Sequence, residues 1–408
     1  MKNILARESD ILSIIDKLDI SPTMYKNAKE KYDAITNALS DCNIESDMYP
    51  QGSFALGTVV RPAAISVSAS YDLDFICQVR ETRDTLSPSE LRNKIEHALE
   101  SNTTYGGKLH IYPECITVEY ADIGNHGFSI DIVPAVDESA ENKCRLSSMS
   151  TIPALISTAI AIPKHNAGQN YSWITNNPKG FRTWFEAINA PYLEVSKEAF
   201  KNKLYKENRA LFASVEDIPA QLIRSPLQRV IQLFKYHRDV YYSKIREGET
   251  IKPISALITT VIAKIAQHHS PECTVFELLE FIVDELDIYA LHQLISSDQF
   301  SKNYGNRTVF LHNNGVWYIA NPANPEDNLA DKWNNDKRIP DYFFRWIKVL
   351  RNDVIDGLQL ENDQDFRNNL ENGFGKLAVS SVLGDKYINQ PVAKTFTLES
   401  TGRPYRLL

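Results

Sequence analysis

No C-x-x-C pair occurs in this chain, and its five cysteines (Cys42, Cys77, Cys115, Cys144 and Cys273) lie far apart. That excludes the familiar zinc-ribbon spacings and reads as scattered thiols in a reducing compartment. A basic excess is missing too: 44 Lys and Arg against 52 Asp and Glu leave a net charge of −8. A protein that wraps long nucleic acid needs counterion-releasing basic surface, so that class is set aside. Small magnesium-bound nucleotides stay compatible, because a metal neutralises their phosphates locally. The most apolar run, IPALISTAIAIP (152–163), is too short and too bounded by proline to span a bilayer. The opening MKNILARESD is charged within ten residues and has no apolar core, so no signal peptide and a cytoplasmic location are expected. Internal repeats and low-complexity linkers are absent as well.

What is present suits a globular protein of more than one core. At 408 residues with 43% hydrophobic and 24% charged content, two domains are the natural expectation. Ser21-Pro22 reads as a helix cap followed by a first helical residue, with Tyr25, Ala28, Tyr32, Ile35 and Leu39 at helical spacing behind it. The period then changes. DLDFICQV (72–79), parts of KLHIYPECITVEYAD (108–122) and GFSIDIVPAV (127–136) alternate as strands, the last two as an antiparallel hairpin. From about residue 180 helices dominate: one from Ser225-Pro226, one over 254–268, one over 273–286 and one over 341–354. A small hairpin with Asn-Gly at its turn (308–320) interrupts them. The expected fold is α+β, a strand-rich lobe (1–215) with a long N-terminal helix, followed by a mainly helical lobe (216–408).

The chemistry concentrates in the strands. Side chains alternate faces, so Asp72 and Asp74 project together while Leu73, Phe75, Cys77 and Val79 face the core. Asp131, between Ile130 and Ile132, likewise opposes an apolar face. If these strands are neighbours, three carboxylates converge, a poor arrangement electrostatically unless cations hold it. Oxygen-seeking Mg²⁺ fits and usually brings a substrate's phosphates. Two such ions about 3.5–4 Å apart clamp the attacking and leaving oxygens of an in-line nucleotidyl displacement. Upstream, Gly52-Ser53 opens the helix-compatible FALGTVV and can supply close backbone approach, a hydroxyl and helix-terminal amides to a phosphate. A second D-x-D, Asp363 and Asp365 in ENDQDF, has no Gly-Ser upstream and no strand pattern, and is expected to be a solvated loop. FGKLA (374–378) lacks phosphate-loop spacing. The five tryptophans read as packing residues, and His126 as a solvated turn residue.

The ordered set resembles the polymerase-β-like nucleotidyltransferase superfamily, and within it the bacterial cGAS/DncV-like nucleotidyltransferases (CD-NTases) of antiphage CBASS systems. The likeness is carried by QGSFALGT (51–58), YDLDF (71–75), SIDIVPAV (129–136) and WITNNPKGFRTWF (173–185). LQRVIQLFKYHRD (227–239), KPISALI (252–258) and NPANPEDNLADKW (321–333) extend it over roughly residues 50–350. It implies a bilobed, oligoadenylate-synthase-like enzyme that turns NTPs (ATP, GTP, or a pyrimidine NTP) into a cyclic di- or trinucleotide, using two Mg²⁺ or Mn²⁺ ions. Carried over, Gly52 and Ser53 would grip the triphosphate, and Asp72 and Asp74 would hold both metals. Asp131 would bind the catalytic metal and help deprotonate the attacking ribose hydroxyl. Lys235 and Ser255 match phosphate-contacting residues. Read from the residues alone, they are a helix lysine beside Phe234 able to reach a cleft or to snorkel, and a helix N-cap. Where some relatives place a base-stacking aromatic after that serine, this chain has Ala256. Tyr241, Tyr242 or the NPANPEDN loop are the substitutes considered. Implied partners are NTPs and regulatory or effector proteins of a defence operon, with no membrane and no stable long nucleic acid. The rival readings are a linear-oligonucleotide or RNA-tailing transferase, a transferase that adenylylates a protein or small molecule, and a catalytically inactive fold kept as an interaction module.

Overall fold

Ser21 accepts a hydrogen bond from the Met24 amide and starts helix α2 (Pro22–Asp41), while a separate helix α1 (Ile4–Leu18) precedes it. The computed structural model describes residues 4–61, 70–113, 115–123, 126–166, 170–207 and 223–388. The expected domain boundary at 215/216 lies outside the described residues. After α2 come β1 (Ser46–Pro50), the short α3 (Gly52–Leu56), β2 (Ser70–Thr82), α4 (Pro88–Ser101), β3 (Leu109–Ile111), β4 (Ile116–Ile123) and β5 (His126–Asp137). Then follow α5 (Ala140–Met149), a 3₁₀ turn (Pro153–Thr158), β6 (Ile160–His165) and β7 (Tyr171–Asn176). Among the described residues these strands form one seven-stranded sheet. It runs β1-β2-β5-β4-β3, with β6 joining the end of β5 and carrying β7. β2 and β5 are parallel; the other pairings are antiparallel.

Alternation decides which face of this sheet is covered. Leu73, Phe75, Cys77 and Val79 of β2, Val118 of β4, and Ile130 and Ile132 of β5 are buried against Ala28, Ile35 and Leu39 of α2 and Leu91, Ile95 and Leu99 of α4. Each such side chain contributes about 1.5–3 kcal/mol on burial. The opposite face is only partly polar. Two residues beyond the aspartates it turns apolar, with Ile76, Val133, Ala135 and Ile160 forming a small core of their own.

A long helix α6 (Pro178–Glu207) leads to a helical region. This contains α7 (Pro226–Ser243), α8 (Gly248–Ile251), α9 (Ser255–Ala266), α10 (Val275–Tyr289), α11 (Ser297–Tyr304) and α12 (Asp331–Asn335). It ends in α13 (Arg338–Leu350), α14 (Asp363–Phe374) and α15 (Lys376–Leu383). Two small hairpins, β8 (Leu311–Asn313) with β9 (Val316–Tyr318) and β10 (Ala320–Asn321) with β11 (Asn324–Asn328), sit among them. Asn314 and Gly315 make the first turn with φ of 52° and 79°, the mirror-image turn that Asn-Gly favours. The helical core takes in Trp184, Phe185 and Ile188 of α6, and also Ile11, Ile14 and Ile15 of α1. Arg7, almost fully buried, ties α1 to the far end of the chain by donating to Leu358 O (3.0 Å), Leu360 O (2.8 Å) and Asp363 (2.7 Å). Asp363 and Asp365 are therefore not a solvated loop. They lie in the first turn of α14, capped by Asn362, where negative charge suits the helix dipole.

A π-helical turn (Arg351–Ile355) after α13 carries Asp353 into the core. Trp346 Nε1 donates to His237 Nδ1 (3.0 Å), which leaves the imidazole proton on Nε2, facing Asp353 Oδ2 at 3.2 Å. Asn372 adds a donor to the same oxygen at 2.8 Å. Asp353→Ala strands the His237 donor in the core and is expected to lower the unfolding free energy by about 3 kcal/mol. Urea denaturation measures this, and a loss below about 1 kcal/mol would contradict the reading.

Candidate active site

The carboxylates meet where the parallel strands pair. Asp74 of β2 stands opposite Asp131 of β5 in register, and Asp72 occupies the position opposite Ser129. The Asp72 side chain lies outside the described residues, so the structure brings together two of the three expected carboxylates. Among the described residues no group of three or more His, Cys, Asp or Glu side chains is placed so that it could hold a metal ion. On the other flank of β5, Thr117 of β4 pairs with Asp131, and its hydroxyl donates to Asp131 Oδ1 at 2.5 Å. This orients the carboxylate from a position that sequence reading did not single out.

The Gly-Ser turn is tied to the same strand. Gln51 N donates to Asp74 O at 2.9 Å, and Gly52 follows at φ +60°, where a side-chain Cβ would stand 3.2 Å from Asp74 Oδ2. Glycine is required there both by conformation and by the approach of the carboxylate. The helix behind it is shorter than FALGTVV suggested. α3 closes after Leu56 at Gly57, which is left-handed at φ +65°, and the Thr58 amide donates back to Ser53 O at 2.9 Å.

Lys235 is neither exposed nor snorkelling. It is 2% exposed, and its Nζ donates to the buried Thr58 Oγ1 at 2.9 Å, five residues beyond Ser53. Burial first, and then the nearby Arg238 charge, bring its amine down to about 7, with Asp239 opposing. Arg238 continues the cationic line from the same helix, donating to Pro253 O (3.0 Å) and Ser255 Oγ (3.2 Å). Ser255 itself is the first residue of α9, while Ile254 holds the cap position without a side-chain bond. The N-cap expectation is thus corrected: the Ser255 side chain is exposed and engaged by Arg238. Tyr242 is fully buried against Trp346 and is no base platform. The NPANPEDN segment is a seam. Asn324 Nδ2 reaches Thr175 O (3.1 Å), Arg145 of α5 pairs with Glu326, and Asn177, just before α6, holds Leu155 O (2.8 Å) and Ala323 O (2.9 Å).

A divalent cation fits this arrangement. Two carboxylates in register are a hard-oxygen donor set, and the field they create shows in a neighbour. The Cys115 thiol is pushed up to about 11, by burial first and then by the Asp131 charge, with Asp74 adding to it.

A mixed sheet with paired carboxylates on adjacent strands, a Gly-Ser turn folded onto one of them, and a helical region supplying a lysine constitutes a polymerase-β-like nucleotidyltransferase fold. The Second Messenger Oligonucleotide or Dinucleotide Synthetase domain matches residues 6–189. A c-di-GMP synthase from Roseivirga ehrenbergii is 23% identical over 354 residues, 86% of this chain and 79% of that protein. Among solved structures, the Bradyrhizobium diazoefficiens CD-NTase CdnG in complex with GTP has a TM-score of 0.63 at 20% identity, covering 92% of this chain and 98% of that one. The E. coli MS115-1 CdnC:HORMA-deltaN complex gives a TM-score of 0.57 at 14% identity (90% and 96% covered). By these likenesses the chain is similar to the nucleotidyltransferases of the cGAS/DncV type, the CD-NTases, and shares their fold. No helix among the described residues is long and apolar enough to cross a membrane.

Proposed function

We propose that this chain is a CD-NTase that joins nucleoside triphosphates, GTP among them, into a cyclic di- or trinucleotide with release of pyrophosphate, as a signal in antiphage defence. The observation that carries the reading is the in-register pair Asp74 and Asp131 with the Gly52 backbone folded against Asp74. Guanine as one base is supported by the c-di-GMP synthase relative and by the GTP complex of CdnG. Asp72, Asp74 and Asp131 would hold Mg²⁺ or Mn²⁺, which when bound neutralises charge on the phosphates and lowers the pKa of the attacking hydroxyl. Asp131, oriented by Thr117, takes up the proton of that hydroxyl. Gly52 and Ser53 grip the triphosphate from one side, and Lys235, reached past Thr58, and Ser255 from the other. The second bond requires the linear intermediate to re-enter the same site in a new orientation.

The test is incubation with all four NTPs and Mg²⁺ or Mn²⁺, phosphatase treatment, and mass spectrometry of what survives. A phosphatase-resistant product containing guanine is expected. Only linear, phosphatase-sensitive products would overturn the cyclase reading in favour of an oligonucleotide-tailing enzyme.

A further inference from the structure

The exit from the phosphate-gripping turn is held by one stripe of α7. Gln228 Nε2 donates to Leu56 O (2.9 Å), Gln232 Nε2 to Val59 O (2.8 Å), and Lys235 Nζ to Thr58 Oγ1 (2.9 Å). Positions 228, 232 and 235 follow the i, i+4, i+7 spacing of a single helix face, and all three side chains are less than a tenth exposed. Each glutamine is fixed at its other end too. Gln228 Oε1 accepts from Ser225 N (3.0 Å) in the capping box of α7, and Gln232 Oε1 accepts from Arg229 Nη1 (2.9 Å). Arg229 in turn pairs with Asp16 and Asp19 at the end of α1. The amide planes therefore have one orientation available, with the NH₂ toward the turn.

Nothing in this network is needed to make α7 a helix except the cap at Ser225. A buried helix face is ordinarily apolar; here it spends two buried amides on carbonyls at and just beyond the end of α3. The exit of such a short helix leaves carbonyls without intrahelical partners, and any donor could satisfy them locally. Instead the donors come from about 170 residues away, on the helix that carries Lys235. The proximity is tight: a Cβ on Gly57 would stand 2.6 Å from Gln228 Nε2.

We infer that Gln228 and Gln232 are positioning residues of the nucleotidyl transfer: by pinning residues 56–59 to α7, they set the height of Gly52 and Ser53 over Asp74 and lock Thr58 under Lys235. The inference rests on the transferase reading above and extends it from the groups that touch the triphosphate to those that place them. A displacement of about 1 Å at a phosphate grip is enough to cost on the order of a hundredfold in rate.

The test replaces the donors with a side chain of the same length, Gln232→Met and the double variant Gln228→Met/Gln232→Met. Arg7→Met serves as control, because it loosens the α1–α14 seam far from the turn and lowers the melting temperature without touching it. In the wild-type protein, product formation from GTP and ATP with Mg²⁺ is measured first; if none forms, the transferase reading fails and the role assigned here fails with it. With activity present, the glutamine variants are expected to raise the KM for GTP about tenfold or more and to lower kcat/KM by roughly 30- to 100-fold. Amide hydrogen exchange over residues 52–59 should quicken in them and stay slow in Arg7→Met. If the glutamine variants change KM and kcat no more than Arg7→Met does, and exchange over 52–59 stays slow, the glutamines only stabilise the fold and the inference is wrong.

Discussion

Asp74→Asn is expected to lose at least about a thousandfold in product formation while melting at or above the temperature of the parent. The substitution keeps the shape of the side chain and removes its charge. Asp74 stands in register with Asp131, and like charges directly opposite on neighbouring strands cost stability, so neutralising one relieves the sheet. The same change removes an oxygen that, in the proposed mechanism, holds metal beside the Gly52 backbone, and Asp131 alone does not replace it. Activity is read from nucleotide product by mass spectrometry and stability from calorimetry. A variant that keeps more than about a tenth of the parent rate would move the site elsewhere. One that melts much lower would make Asp74 a structural residue.

Lys235→Met is expected to lower kcat/KM for NTPs about a hundredfold and to flatten a pH dependence that the parent shows in two opposite senses. In the nucleotide-free protein the buried amine sits at about 7 against an ordinary 10.5. Below pH 7 it is charged in both folded and unfolded chains. Between pH 7 and 10.5 the unfolded chain binds more protons, so stability rises with pH by about 1.4 kcal/mol per unit from this group. It is fully present above 10.5 and lost as pH falls through 7. Triphosphate binding runs the other way, since it needs the ammonium form, and apparent NTP affinity weakens as pH rises through about 7. Arg238 and Asp239 are the charged groups that act on the amine, in opposite directions. Denaturation series and KM profiles from pH 6 to 9.5 check both slopes. Parallel slopes in parent and Met variant would show that another group titrates.

The aspartate-bearing strands were legible because their signal is short-ranged. A period of two with an aspartate among apolar residues fixes the face; that β2 and β5 are neighbours, parallel and with Asp74 opposite Asp131, is decided by the sheet as a whole. The β6–β7 hairpin was not, since Ile160–His165 reads as an apolar run with a proline and its pairing is decided by the end of β5. Thr58, Thr117, Gln228, Gln232 and Arg238 carry no local mark at all. They are ordinary polar residues whose meaning comes from partners that chain folding delivers. Ser255 was misplaced by a single position, because Ile254 takes the cap and frees the serine for Arg238. Asp363 was read as loop for want of its partner, Arg7, which lies 356 positions earlier.

That same arginine has a consequence for how the protein is made. α1 leaves the ribosome well before the carbonyls that Arg7 grips, at Leu358 and Leu360, which are synthesised more than 350 residues later. At about 5–20 residues per second the delay is roughly twenty seconds to a minute. Through that interval Ile11, Ile14 and Ile15 have no finished core to enter. The growing chain thus carries a sticky helix that sheet formation cannot bury, and chaperones that bind short apolar helices should find it there until residues 358–363 have been made.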